Sequence, residues 1–153
     1  MGSSIDRFYT AICRSENQSI AGWNLSQAFS KINDTHAFSY LSDYYHKDIF
    51  GPRAVGFKSG FIQNQLVVTG LSDDQFKTGQ ELQLGDIIME IAGKPVSGMI
   101  DSLRPYVAAS NESALMRDLP SRMLRTADSL LMLKIHREGR ESVFISPHVL
   151  SNQ

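Results

Sequence analysis

The chain has 153 residues, 42% hydrophobic and 20% charged, enough to bury the core of one ordinary domain with an appendage. Its 15 basic residues against 16 acidic ones give a net charge of -1, and with no basic block or aromatic-basic interleaving they provide no electrostatic reason for a nucleic-acid or anionic-membrane partner. The single cysteine, Cys13, excludes an internal disulfide and a cysteine-based zinc site, and reads as a packed helix residue.

At the N-terminus, "MGSSIDRFY" lacks the apolar core of a signal peptide, and no apolar run in the chain approaches the length of a membrane span, so an export signal is expected to lie outside this chain. Phe8 and Ile12, then Leu25, Ala28, Phe29 and Ile32, recur at helical spacing and predict two short helices, the second with Asn24 as its N-cap. Gly51-Pro52 should break whatever precedes it and marks a domain boundary, with 1–50 a helical segment. Next, "AVGFKSGFIQNQLVVTGL" pauses and alternates as a strand pair does, with a turn at Asn64-Gln65.

The stretch "ELQLGDIIMEIAGKPVSGM" offers Gly85 for a tight turn, a buried strand over Ile87 to Ile91, and a second turn at Ala92-Gly93-Lys94-Pro95. Helical texture returns at "MIDSLRPYVAAS" and at "NESALMRDLPSRMLRTA", with Asn111 as a helix start and Pro105 and Pro120 set to start, bend or end these helices. "SLLMLKIHREGRESVFIS" predicts a closing β-hairpin with its turn at Arg137 to Arg140.

"LQLGDIIMEIAGKPVSGM" resembles the Leu-x-x-Gly-Asp-x-Ile-x-x-Ile-x-Gly segment of PDZ domains, and "AVGFKSGFIQNQLVVTGL" is similar to their carboxylate-binding loop and following strand. The fold this implies is α+β, a PDZ-like small and strongly bent β-sheet or partial barrel with two or more helices. It would span 51–147, carry a helical insertion at about 110–127, and be followed by a tail at 148–153. In that family a peptide adds as a strand to a sheet edge while backbone N–H groups of the loop hold its terminal carboxylate. The resemblance puts Val55, Gly56, Phe57 and Ser59 on the loop and edge strand. It puts Ile100, Leu103 and Val107 on the closing helix face, with Arg53 or Arg104 adding a charge-assisted contact. The plainer reading is that Gly56 relieves a bulge and the helix face is core.

The flanking segments narrow the resemblance. "LSQAFSKINDTHAFSYL" is similar to an N-terminal segment of tail-specific serine proteases and their tricorn-like relatives, and "LRPYVAASNESALMRDLPSRMLR" resembles the insertion of bacterial members. The chain is thus identified as the N-terminal helical and PDZ portion of a bacterial carboxyl-terminal processing peptidase. The parent would be a serine endopeptidase, with this chain alone inert because neither a nucleophile segment nor a lysine-bearing helix is found in it. Its partners would be C-terminal segments of substrate proteins and its own downstream catalytic domain, its setting periplasmic or cell-surface, and no cofactor is implied. The alternative is a free-standing PDZ adaptor; a small hydrolase built on Asp34 and His36 would lack a nucleophile.

His36 is the residue that could reach the chemistry, since the tricorn-like branch takes its histidine base from such a segment. Equally, Asp34 and His36 could cap a helix end and tie down a turn. A metal site of His36, His46 and Asp34 lacks a recognisable ligand spacing. Trp23 and the Tyr44-Tyr45 pair read as core or interdomain packing.

Overall fold

A computed structural model describes residues 4–36, 50–71 and 82–150. The Tyr44-Tyr45 pair and His46 lie outside them. Two helices open the chain, α1 (Ser4–Cys13) and α2 (Gln18–Ser30), packed against each other. The N-cap of α2 is Asn17, whose side chain accepts the Ile20 N–H at 3.0 Å. Asn24, expected as the cap, sits inside the helix and serves its neighbour instead. Its amide donates to the Ala11 carbonyl at 3.4 Å and lies 3.3 Å from Ser15 Oγ, closing off the last turn of α1. Cys13 is exposed rather than packed.

The remainder is an antiparallel sheet with helices on it, so the fold is α+β. Its strands are β1 (Arg53–Val55), β2 (Phe57–Ile62), β3 (Gln65–Leu71), β4 (Ile87–Ile91), β5 (Lys94–Pro95), β6 (Arg125–Thr126), β7 (Leu130–Arg137) and β8 (Arg140–Leu150). The order is β2-β3-β4-β7-β8-β1-β6, with β5 beside β4, and β2 and β6 at the two ends, so the sheet does not close into a barrel. Between the strands lie α3 (Val96–Leu103), a 3-10 turn (Arg104–Tyr106) and α4 (Glu112–Met123).

Three tight hairpins among the described residues use two-residue turns in the left-handed region, Gln63-Asn64 at φ 49 and 63, Ala92-Gly93 at φ 50 and 76, and Glu138-Gly139 at φ 47 and 79. The first is one residue earlier than expected. β8 continues past 147, where the tail was expected: His148, Val149 and Leu150 pair with Val55, Ala54 and Arg53. A strand this long reaches across the molecule because β1 offers it a second edge.

Leu131, Leu133 and Ile135 of β7 alternate inward and meet Ile88 and Ile91 of β4, Leu66 and Val68 of β3, and Leu115, Leu119 and Met123 of α4. Each such side chain contributes about 1.5–3 kcal/mol by leaving water. Asn111 caps α4 as expected, accepting the Ala114 N–H at 2.9 Å. Pro120 lies inside that helix one turn before its end, where its missing N–H costs a single bond.

The Leu84-Gly85-Asp86 turn is fixed from three sides. Gly85 has φ +90, a conformation side chains disfavour, and its N–H donates to the Val68 carbonyl at 3.0 Å. Asp86, 1% exposed, accepts the Gln83 N–H at 2.7 Å through Oδ2. Its carboxylate also takes a two-pronged grip from Arg137, Nε to Oδ1 at 2.5 Å and Nη2 to Oδ2 at 2.6 Å. A motif legible as a turn is therefore also the anchor of the closing hairpin.

Candidate functional site

β2 is an end strand, and among the described residues β3 is the strand it pairs with. The ladder starts from the hairpin turn with Ile62 opposite Gln65, then Phe61 opposite Leu66, Gly60 opposite Val67 and Ser59 opposite Val68. In an antiparallel pair the hydrogen-bonded and non-bonded positions alternate, so the backbone N–H and C=O of Ser59 and Phe61 point away from β3. Across that open edge lies α4, packed against β2. The space between them is a groove of about 630 Å³, with Ser59, Phe61 and Asn64 on one wall and Ser113, Met116 and Arg117 on the other.

Of the expected groove residues, the structure brings Ser59 to this site. Val55 is on β1, half-buried against the core, Gly56 forms the bend into β2, and Phe57 is buried and paired with Leu71. Ile100, Leu103 and Val107 do not line the groove. Their helix, α3, packs on β4, β5 and α4; Ile100 and Leu103 are half-buried against the core, and Val107 is 3% exposed within it. Pro105 explains the difference. The run tightens into a 3-10 turn at Arg104, and Val107 is already extended, so the expected stripe is broken after one helical step. The groove helix is the segment that reads in sequence as an insertion. The N-cap at Asn111 was its visible signal.

Neither proposed arginine is at hand for a carboxylate. Arg53 lies on β1 between β6 and β8, with Nε buried and unpartnered among the described residues. Arg104 forms two bonds to Glu112 at 2.7 and 2.9 Å, locking the 3-10 turn to the first residue of α4. The Arg104 hydrogen bond holds the Glu112 carboxyl below its usual range. That support is present above the ordinary glutamate pKa and fades as pH falls through the lowered one, and on so exposed a pair it is small.

The His36 turn follows α2. Asn33 takes φ 54, and Asp34 Oδ1 then accepts the His36 backbone N–H at 2.9 Å while lying 3.3 Å from Nδ1 of the same ring. The backbone bond first, then the ring, lowers the Asp34 pKa. The imidazole is 92% exposed, so Asp34 can hold Nδ1–H and leave Nε2 open to a group from elsewhere. The turn is therefore tied down through the His36 backbone, with the exposed ring beside Asp34. The described residues hold no three-residue cluster able to bind a metal.

One contact links the turn to the groove. Thr35 Oγ1 lies 3.0 Å from Ser110 Oγ and accepts the Ser110 N–H at 3.2 Å, immediately before the Asn111 cap. Trp23 of α2 meets Tyr106 edge-on at 5.6 Å on the same side. Thr35→Val keeps the shape and deletes the bond; amide exchange at Ser110 is expected to speed up several-fold, the signature of about 1 kcal/mol lost locally. Unchanged exchange would mean that the contact carries no weight.

No protein-family model and no curated protein matches the sequence. Solved structures do. The chain is similar over 97% of its length to mature CPAF, with a TM-score of 0.53 and 18% identity. A serine-to-alanine mutant of CPAF matches with a TM-score of 0.52 and 18% identity, again over 97% of the chain. The chain spans 29% of the length of each of these structures. The shared fold includes the N-terminal helices as well as the sheet.

Proposed function

We propose that this chain is the non-catalytic, PDZ-like substrate-binding portion of a serine-type tail-specific peptidase. It captures extended segments of substrate proteins on β2 and presents them to a catalytic domain carried elsewhere in the parent protein. The observation that carries this reading is the open β2 edge facing α4 across a groove, with the outward backbone groups of Ser59 and Phe61 spaced for an added strand. CPAF, a chlamydial tail-specific serine protease, supports it at the level of fold. Coverage of α1 and α2 in that match favours a protease segment over a free-standing adaptor. A bacterial, periplasmic or cell-surface setting belongs to the same proposal.

Unfolded β-casein is expected to bind the chain weakly and to remain uncleaved, because among the described residues the groove lining offers no histidine or lysine to activate a serine. Ser113→Trp fills the groove from an exposed position and should abolish binding without altering thermal stability. Cleavage that survives repurification, or binding indifferent to Ser113→Trp, would overturn the reading.

A further inference from the structure

The family resemblance implies capture of protein C-termini. The packing at the β1–β2 bend argues against it. Resting on the strand-addition reading, we infer that the groove takes an extended segment from within a polypeptide and has no requirement for a free carboxylate.

Among the described residues the cavity lining reaches Ser59 on β2 and Arg117 on α4. On α4 the stripe facing β2 begins with Ser113, Met116 and Arg117, which line the cavity. One and two turns further on come Pro120, Met123 and Leu124, all buried at 2% exposure or less, while on the opposite wall Phe57 is 8% exposed. The turns of α4 that run on past the cavity therefore present buried core side chains rather than an open wall.

The C-terminal turns of α4 are tied instead to the residues entering β1. The Arg122 guanidinium lies 5.6 Å from the centre of the Phe50 ring, and Phe50 is buried. Arg125 Nε donates to the Gly51 carbonyl at 2.8 Å. Gly51, at φ +94, runs so close to Thr126 that a Cβ there would collide with its backbone. A glycine is required at this crossing, and the crossing seals that end of α4.

The cationic side chains near that end are also committed, enclosed or turned away. Gly56 already makes an interaction within the fold. Arg104 is held by Glu112, and Arg53 is enclosed between two strands. The stem of Lys58 leans over Gly70 on β3, away from the open edge. Arg117 on the far wall is held by Asp118 at 2.7 and 3.0 Å, so what the edge itself offers is neutral and repeating: outward backbone groups at Ser59 and Phe61, about 6.8 Å apart along the strand, beside the apolar faces of Phe61 and Met116. That combination selects an unfolded, β-prone stretch with an apolar side chain set between Phe61 and Met116, and it does not select an end.

The test uses short valine- and threonine-rich peptides in three forms: free carboxylate, C-terminal amide, and the same sequence with Gly-Ser extensions at both ends. Each is titrated into the full chain while the Ser59 and Phe61 amides are followed by NMR. The three affinities are expected to agree within about threefold. Amidated or extended peptides about tenfold weaker than the free form would overturn this inference and leave the groove reading standing. Absence of binding by all three, or binding that survives both Ser113→Trp and Ser59→Pro, would remove the strand-addition reading and this inference with it. Ser59→Pro deletes an outward N–H and no ladder bond to β3, so it serves as the second variant.

Discussion

If His36 serves as the general base of the parent enzyme, His36→Ala in the full-length protein lowers kcat by about two to four orders of magnitude with peptide capture unchanged, whereas a purely structural histidine leaves the rate intact. Folding should be indifferent, because the ring is 92% exposed and the bond that ties the turn runs from the His36 backbone to Asp34. Asp34→Asn is the informative companion. It keeps an acceptor for that backbone N–H and removes the charge beside Nδ1, so the rate should fall less than in His36→Ala. Asp34 is held below its usual range by the His36 N–H, so the stabilisation it gives the turn is complete above the ordinary aspartate pKa. It is lost as pH falls through the lowered value, well away from neutrality. An unimpaired His36→Ala enzyme would assign the base elsewhere, as in the serine-lysine branch, and reduce the Asp34-His36 pair to a turn.

Asp86→Ala is expected to cost about 3–5 kcal/mol, because it removes both the acceptor of the Gln83 N–H and the carboxylate that Arg137 grips. A domain of marginal stability loses a large share of its total at that cost. Arg137→Met alone should also be severely destabilising, leaving a carboxylate at 1% exposure without its main counterion. The double change Asp86→Leu with Arg137→Met should cost much less than the sum of the two, since it removes the desolvated charges together. Urea titrations of the three variants measure this. Additive losses, or an Asp86→Ala loss under about 1 kcal/mol, would show that the pair is incidental.

Residues close in sequence settled much of this protein. The turn-strand-turn at Leu84 to Pro95, the closing hairpin at Glu138-Gly139 and the cap at Asn111 are each specified by a few neighbouring residues whose backbone preferences and side-chain acceptors act locally. The mixture of strands and helices follows from those signals, whereas the edge place of the Phe57 segment was what the PDZ resemblance implied. Position in the sheet, helix choice and long-range pairing do not. Asp86 and Arg137 stand 51 residues apart, and nothing in either neighbourhood names the other. Thr35 and Ser110 are 75 apart and meet only because α2 docks on the 3-10 turn. The expected groove face of Ile100, Leu103 and Val107 was a correct apolar spacing assigned to the wrong surface, since periodicity records that a side is apolar and not what it faces. The core took that side, and the open edge of β2 was left to Ser113 and Met116. Sequence determined which segments are strands and helices, because φ/ψ preference and capping are local. Only the tertiary packing decided which helix lines the groove and where along that helix the lining gives way to buried core, because those outcomes depend on side chains arriving from Phe50, Pro120 and Leu124 at one place.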